Sequence, residues 1–256
     1  MKELKLAGHK VRLYDSIEEL PICRFHAYNR MLLIDAGIGS DINDFDAHIE
    51  RAVRYIRNND RENAAKEMEN MRQNIFMVMQ ETNVRHLSFA CLVESIDGER
   101  TDDLSKEALS RVVERLGGAK TREVSDLYES AKKKIDEQLM LYFPSLFNDV
   151  RTREFYDTMK RLAVETLRQI TDEGADTTEN VEKLREKMIL FSAPKRYTGH
   201  DGMEVQHDKN FEAMCITITK ETGREAKKMS VMEFYSAHEY IVKMSKKSRR
   251  AQNKAV

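Results

Sequence analysis

The sequence predicts a mainly α protein, a multi-helix bundle with a small N-terminal β-hairpin. Three observations predict it. Apolar residues recur at spacings of three and four along most of the chain, as in helices that each bury one face. Only 3 prolines occur, Pro21, Pro144 and Pro194, so few points break a helix. Charged residues make up 34% and methionines number 14. Bundles of amphipathic helices keep much charged surface in water, and methionine both favours helices and packs adaptably.

The elements follow in order. Leu4 and Leu6 alternate with polar residues, Ala7-Gly8-His9-Lys10 offers a turn, and Val11 and Leu13 alternate again. This reads as a hairpin. Two strands alone are marginal in water, so the hairpin must pack on the helices or pair with another chain. Asp15 to Leu20 is a turn or short helix ended by Pro21. Phe25, Tyr28, Met31, Leu32, Leu33 and Ile34 predict a buried helix, and Asp35 to Asp41 a glycine-punctuated loop.

Ile42, Phe45, Ile49, Val53 and Ile56 mark the apolar face of a next helix. Asp60 can cap another, in which Ala64, Met68, Met71, Ile75 and Val78 alternate by four and three. The two are expected to pair as an antiparallel hairpin through these faces. The second is expected to run on toward Leu87, Phe89, Cys91 and Val93, where alternation also admits a strand. Gly98 to Asp103 is a polar break. Leu104, Leu109, Val112, Val113 and Leu116 form a helix stopped by Gly117-Gly118. Thr121 caps a longer one with Val124, Leu127, Ala131, Ile135, Leu139 and Tyr142 on its face, ended by Pro144. Phe147 to Ile170 is a further helix.

The polar stretch 171–178 marks the expected boundary. It divides the chain into a helical domain with the hairpin (1–172), a C-terminal helical subdomain (178–245) and a basic tail (246–256). In the subdomain, Val181, Leu184, Met188 and Phe191 give a helix before Pro194, and 195–207 reads as a long loop. Phe211, Met214, Cys215 and Ile218 give a helix ending near Gly223. Ser230-Val-Met-Glu233 is a capping box that opens the last helix, with Phe234, Ala237, His238 and Ile241 on its buried side.

Composition limits the function. The net charge of −1 over 256 residues offers no global field to nucleic acid or an anionic membrane. Basic residues nevertheless gather at the end of the chain. Lys246, Lys247, Arg249 and Arg250 are the candidate contacts for nucleic acid or a partner, and a solubilising terminus is the favoured reading. No aromatic alternates with them, which weakens single-strand binding. Cys23, Cys91 and Cys215 are isolated and odd in number, which speaks against a disulfide framework or a cysteine zinc site. Neither a signal peptide nor a membrane span is legible. The chain is expected in the cytoplasm, without a membrane partner.

Local motifs for chemistry fail. Gly37-Ile-Gly39-Ser-Asp41 lacks the third glycine of a dinucleotide loop and the lysine of a phosphate loop. No Gly-x-Ser-x-Gly occurs, and no cysteine has a local activating histidine. His200, Asp201, His207 and Asp208 could together bind a divalent cation, but their spacing matches no recognised site. The expectation is a non-enzymatic chain without metal or cofactor. A metal-dependent enzyme around those four residues and a nucleic-acid-associated protein are the alternatives.

Two segments carry a resemblance. Glu18-Glu-Leu-Pro21-Ile-Cys-Arg-Phe25-His-Ala-Tyr28-Asn-Arg, followed by Leu32-Leu-Ile-Asp35-Ala-Gly37-Ile-Gly39-Ser-Asp41-Ile-Asn-Asp44, resembles N-termini of helical proteins among the tail and virion genes of tailed bacteriophages. Lys209-Asn-Phe211-Glu-Ala-Met214 with Met229-Ser-Val-Met-Glu233-Phe-Tyr235 resembles the C-terminal helix pair of phage tail assembly chaperones and related virion accessory proteins. The likeness covers about a quarter of the chain, and 98–170 matches no family. It implies a structural or assembly role in the host cytoplasm or the virion. Its partners would be other phage structural or tail proteins, such as the tape-measure protein, or further copies of itself. It defines no functional residues.

Overall fold

The computed structural model describes residues 1–39, 41–80, 83–117, 121–146, 150–171, 177–191, 193–197 and 199–252. Ser40, Gly118, Phe147 and most of the 171–178 stretch, all named in the expectations above, lie outside them. So do the side chains of Thr121, Arg249 and Arg250.

The fold is mainly α, with ten α-helices and one small antiparallel sheet among the described residues. The N-terminal hairpin forms from β1 (Lys2–Leu6) and β2 (His9–Leu13). Ala7 and Gly8 both take positive φ in its two-residue turn, the conformation that matches the twist of the flanking strands. The hairpin is completed inside the same chain. β3 (Val93–Ile96) pairs with β2, β4 (Glu99–Arg100) pairs with β3, and the order is β1-β2-β3-β4. Glu99 and Arg100, expected within a polar break, are thus a strand, reached through a second two-residue turn at Asp97 and Gly98.

α1 (Ile22–Gly37) is the central helix. It packs on α4 (Val84–Leu92) and on α9 (Met203–Thr222) and α10 (Val231–Gln252). α5 (Lys106–Arg115) and α6 (Thr121–Tyr142) pack on α4, and Pro144–Leu146 makes a 3₁₀ turn after α6. The continuous helix expected through Cys91 is in fact two, because Asn83 caps α4 through the N–H groups of Arg85 and His86. One apolar core joins Val11, Tyr28, Leu92, Ile96 and Ile135 to Phe211 and Phe234.

Buried Arg24 on α1 clamps this body. Its guanidinium donates to the carbonyls of Cys91 (3.2 Å), Val93 (2.8 Å) and Thr101, where α4 passes into β3 and the chain leaves β4. At the far end, Ile22 N–H donates to Met229 O, and Val231 and Met232 N–H donate to Leu20 and Ile17 O. The Ser230 and Glu233 capping box forms as expected.

Four helices make an outer layer: α2 (Ile42–Arg57), α3 (Arg61–Met79), α7 (Val150–Thr171) and α8 (Thr178–Phe191). α2 pairs with α3, and α7 with α8. Arg54 to Glu182 (3.0 Å) and the Tyr55 hydroxyl to Ile189 O (3.3 Å) link the pairs.

The boundary expected at 172 falls between α7 and α8, which pack on each other, while α9 and α10 build the core begun by α1. The expected tail is also partly helix, since α10 runs through Lys246 and Lys247 to Gln252.

Candidate protein-interaction surface

The α2–α3 pair buries different residues from those its apolar pattern selects. On α2 the buried residues are His48, Ala52 and Tyr55. Ile42, Ile49, Val53 and Ile56, about a quarter-turn around the helix, are exposed. On α3 the buried set is Ala64, Glu67, Asn70, Asn74 and Met77, while Met68, Ile75, Phe76, Val78 and Met79 are exposed. Of the five positions expected to be buried on α3, only Ala64 is.

The cause lies at the end of α1. A helix leaves its last carbonyls without intrahelical donors, and buried ones must find partners elsewhere. The carbonyl of Ile38 accepts from His48 Nε2 (2.9 Å) and Asn74 Nδ2 (3.0 Å), and Asn74 also reaches Asp41 O (3.3 Å). Asn70 donates to Lys195 O (3.3 Å). His48 Nδ1 and Arg51 Nε both contact the Glu67 carboxylate, at 2.6 and 2.9 Å. These polar side chains must face inward, and helical geometry then turns the apolar faces outward.

The result is a helix pair with a hydrogen-bonded interior and an apolar exterior. Nine large apolar side chains on α2 and α3 are 38–79% exposed. A scattered exposed leucine needs no explanation, but such a stripe does. α7 repeats the pattern: Tyr156, Met159, Leu167 and Ile170 are exposed at helical spacing, and Thr158 is buried.

A cleft of about 770 Å³ adjoins this layer between α1, α3, residues 194–196 and α9, lined by Leu33, Lys66, Lys195, Arg196, Asp201 and His207. Lys66 pairs with Glu62 (2.8 Å), so part of its charge is already compensated.

The four loop residues proposed for a cation are dispersed by α9, which begins at Met203, earlier than expected. His207 and Asp208 are therefore helical. Asp208 pairs with His26 Nε2 on α1 (2.8 Å), and His207 Nε2 contacts His26 O (3.3 Å). His200 pairs with Asp201 at the surface. No group of three or more His, Cys, Asp or Glu among the described residues is arranged to hold a metal.

Folding does bring Cys23, His26 and Asp208 to one small cavity, a juxtaposition that sequence spacing hides. His26 is stacked between His207 and Phe211, at centroid distances of 4.3 and 4.0 Å. Burial pushes the Cys23 thiol up and the His26 imidazole down. Both shifts favour the neutral forms, the opposite of the thiolate–imidazolium pair that thiol nucleophiles use. All three cysteines are free thiols; Cys91 and Cys215 are buried, with pKa values raised to about 12 and about 11 by desolvation.

Of the basic candidates, Lys246 and Lys247 are exposed on the last turns of α10, and the side chains of Arg249 and Arg250 lie outside the described residues. No described helix is long and apolar enough to cross a membrane. No protein-family model, curated protein or solved structure matches the chain.

Proposed function

We propose that this chain is a non-enzymatic interaction protein that works by burying its outer-layer helices against other proteins. One observation carries the reading: α2 and α3 place His48, Glu67, Asn70 and Asn74 inside and Ile42, Ile49, Val53, Ile56, Met68, Ile75, Phe76, Val78 and Met79 outside. A lone chain gains nothing from apolar side chains in water. Their contribution of roughly 25 cal/mol per Å² is realised only when a partner covers them.

The sequence resemblance supplies the class of partner. It implies a tail-associated assembly role in a tailed bacteriophage, either holding an aggregation-prone tail protein or being built into the particle. Exposed methionine and isoleucine on helices suit either task, because they adapt to another helical surface. Lys246 and Lys247 on nucleic acid are the weaker reading, since an exposed helix end with a few lysines is also an ordinary solvated terminus.

The test is co-elution of the purified chain with a tail tape-measure protein of a tailed phage. The expected result is a stable complex that is lost when Leu167 and Ile170 on α7, or Ile49 and Val53 on α2, are replaced by aspartate. A chain that elutes alone beside such candidates overturns the proposal.

A further inference from the structure

α10 changes character along its length. Other exposed helix faces pair their charges four residues apart: Glu62 with Lys66 on α3, Lys132 with Asp136 on α6 and Glu179 with Lys183 on α8. On α10 this compensation stops at Glu239, which takes Lys243 (3.6 Å). From Tyr240 onward the sequence holds Lys243, Lys246, Lys247, Arg249, Arg250 and Lys254, and no acid. Bases in the last turn suit the helix dipole, which accounts for Arg249 and Arg250. Lys246 and Lys247 lie earlier, exposed and without an ion pair among the described residues.

The same helix forms one wall of a groove of about 250 Å³, and the end of α6 forms the other. Tyr142, Phe143 and Tyr240 supply apolar lining, and Ser236, Glu239 and Lys243 supply polar lining. The turn after α6 is tied to α10 here: Phe143 lies 5.7 Å from Tyr235 between ring centroids, and Ser145 donates to Glu239 Oε1 (2.5 Å). Tyr142 and Tyr240 nevertheless remain 50% and 63% exposed. Steps of four, three and four lead from Ser236 through Tyr240 and Lys243 to Lys247, which keeps them on one face of the helix. The groove and the uncompensated lysines therefore form one surface.

We propose that this surface docks an acidic segment of a partner protein. A leucine or aromatic side chain of that segment enters between Tyr142 and Tyr240, and the carboxylates that follow it lie along Lys243, Lys246 and Lys247. The groove has room for one such side chain, since a cavity of roughly 150 Å³ already holds benzene. Glu239 decides between kinds of anion. A nucleic acid or an anionic membrane carries negative charge throughout its surface and sets some of it against the carboxylate in the groove wall. A peptide can place an apolar side chain there and keep its acids for the lysines. This goes beyond the interaction reading above, because the surface is built from α6 and α10 and not from the outer-layer helices.

The test is fluorescence anisotropy of labelled probes titrated with the full chain to about 200 µM, at about 50 mM salt, where surface charge is little screened. One probe is a peptide in which Leu-Phe precedes a run of glutamates. The second has Ser-Ser in place of Leu-Phe, and the third is a thymidine oligonucleotide of equal charge. The Leu-Phe peptide should bind at least about tenfold more tightly than either control, as burial of one large side chain provides. Tyr240→Ser should weaken it about tenfold. Lys246→Glu with Lys247→Glu should also weaken it about tenfold. A peptide with lysines in place of the glutamates should then bind that variant more tightly than it binds the wild-type chain, a reversal that lost folding cannot produce. No saturable binding of the Leu-Phe peptide overturns the proposal. So does a serine peptide bound equally well, the behaviour of an ordinary solvated basic terminus, and so does an oligonucleotide bound as tightly, which assigns the face to nucleic acid. Each outcome leaves the outer-layer helices to be judged by co-elution.

Discussion

His48 Nδ1 lies 2.6 Å from Glu67 Oε2, and the two side chains are 1% and 2% exposed. The contact joins α2 to α3, and the other ring nitrogen joins both to the end of α1 through Ile38 O. Removing His48 leaves buried Glu67 to Arg51 alone, and removing Glu67 takes the carboxylate from both His48 and Arg51. His48→Leu or Glu67→Leu should each cost about 3 kcal/mol. The double variant should cost less than their sum, since no charge is then stranded. Urea denaturation of the four proteins gives the cycle, and simple additivity would show that the two residues act independently.

Arg24 offers a sharper test of geometry than of charge. Its planar guanidinium reaches three carbonyls on the two chain segments flanking the sheet. A lysine keeps the charge but cannot span them. Arg24→Lys should therefore destabilise by about 2–3 kcal/mol, nearly as much as Arg24→Met, in chemical denaturation. A lysine variant as stable as wild type would mean that charge alone suffices.

The α7 stripe should be indifferent to polarity in the isolated chain. Leu167→Ser and Ile170→Ser remove exposed apolar surface and no described hydrogen bond of either side chain. Stability should stay within about 0.5 kcal/mol of wild type, while binding of a dye that reports exposed apolar surface should fall. A loss of several kcal/mol would place these residues in a core.

Acid should weaken the fold through half-buried imidazoles. Burial lowers the pKa of His26 and of His86 below the ordinary histidine value. The unfolded chain therefore takes up protons first as pH falls. The stability from each neutral ring is full above the ordinary value near 6.5 and is lost as pH drops toward the lowered one. Asp35 acts oppositely: burial raises its pKa, so its contribution is lost as pH rises through the raised value. Thermal melts between pH 7 and 5 should show a falling midpoint, and His86→Leu should flatten that slope. An unchanged slope would locate the acid sensitivity elsewhere.

Much of the architecture is legible in the sequence because it depends on local chemistry. The hairpin follows from alternating Leu4, Leu6, Val11 and Leu13 around Ala7-Gly8, and the last helix from the Ser230 and Glu233 capping box. The inward face of α2–α3 is illegible for the opposite reason. Its residues answer a demand made by Ile38 O at the end of another helix, and periodicity within one helix carries no record of that demand. Apolar spacing identifies the stripe Ile42 to Ile56 correctly and assigns it to the wrong side. The His26 and Asp208 pair is hidden similarly, since 182 positions separate its members. The basic candidates at the end of the chain read as a tail because clustered lysine and arginine look the same whether or not the backbone beneath them is helical.

The seam that ties Ile17, Leu20 and Ile22 to Met229, Val231 and Met232 sets a schedule for synthesis. Translation proceeds at about 5–20 residues per second, so roughly 10–40 s pass between the emergence of one side of the seam and the other. Throughout that interval the faces of α1 destined for α9 and α10 have nothing to cover them. The nascent chain must be shielded or stay loosely collapsed until its final helices leave the ribosome. A ribosome stalled before Met229 therefore holds a chain that cannot close.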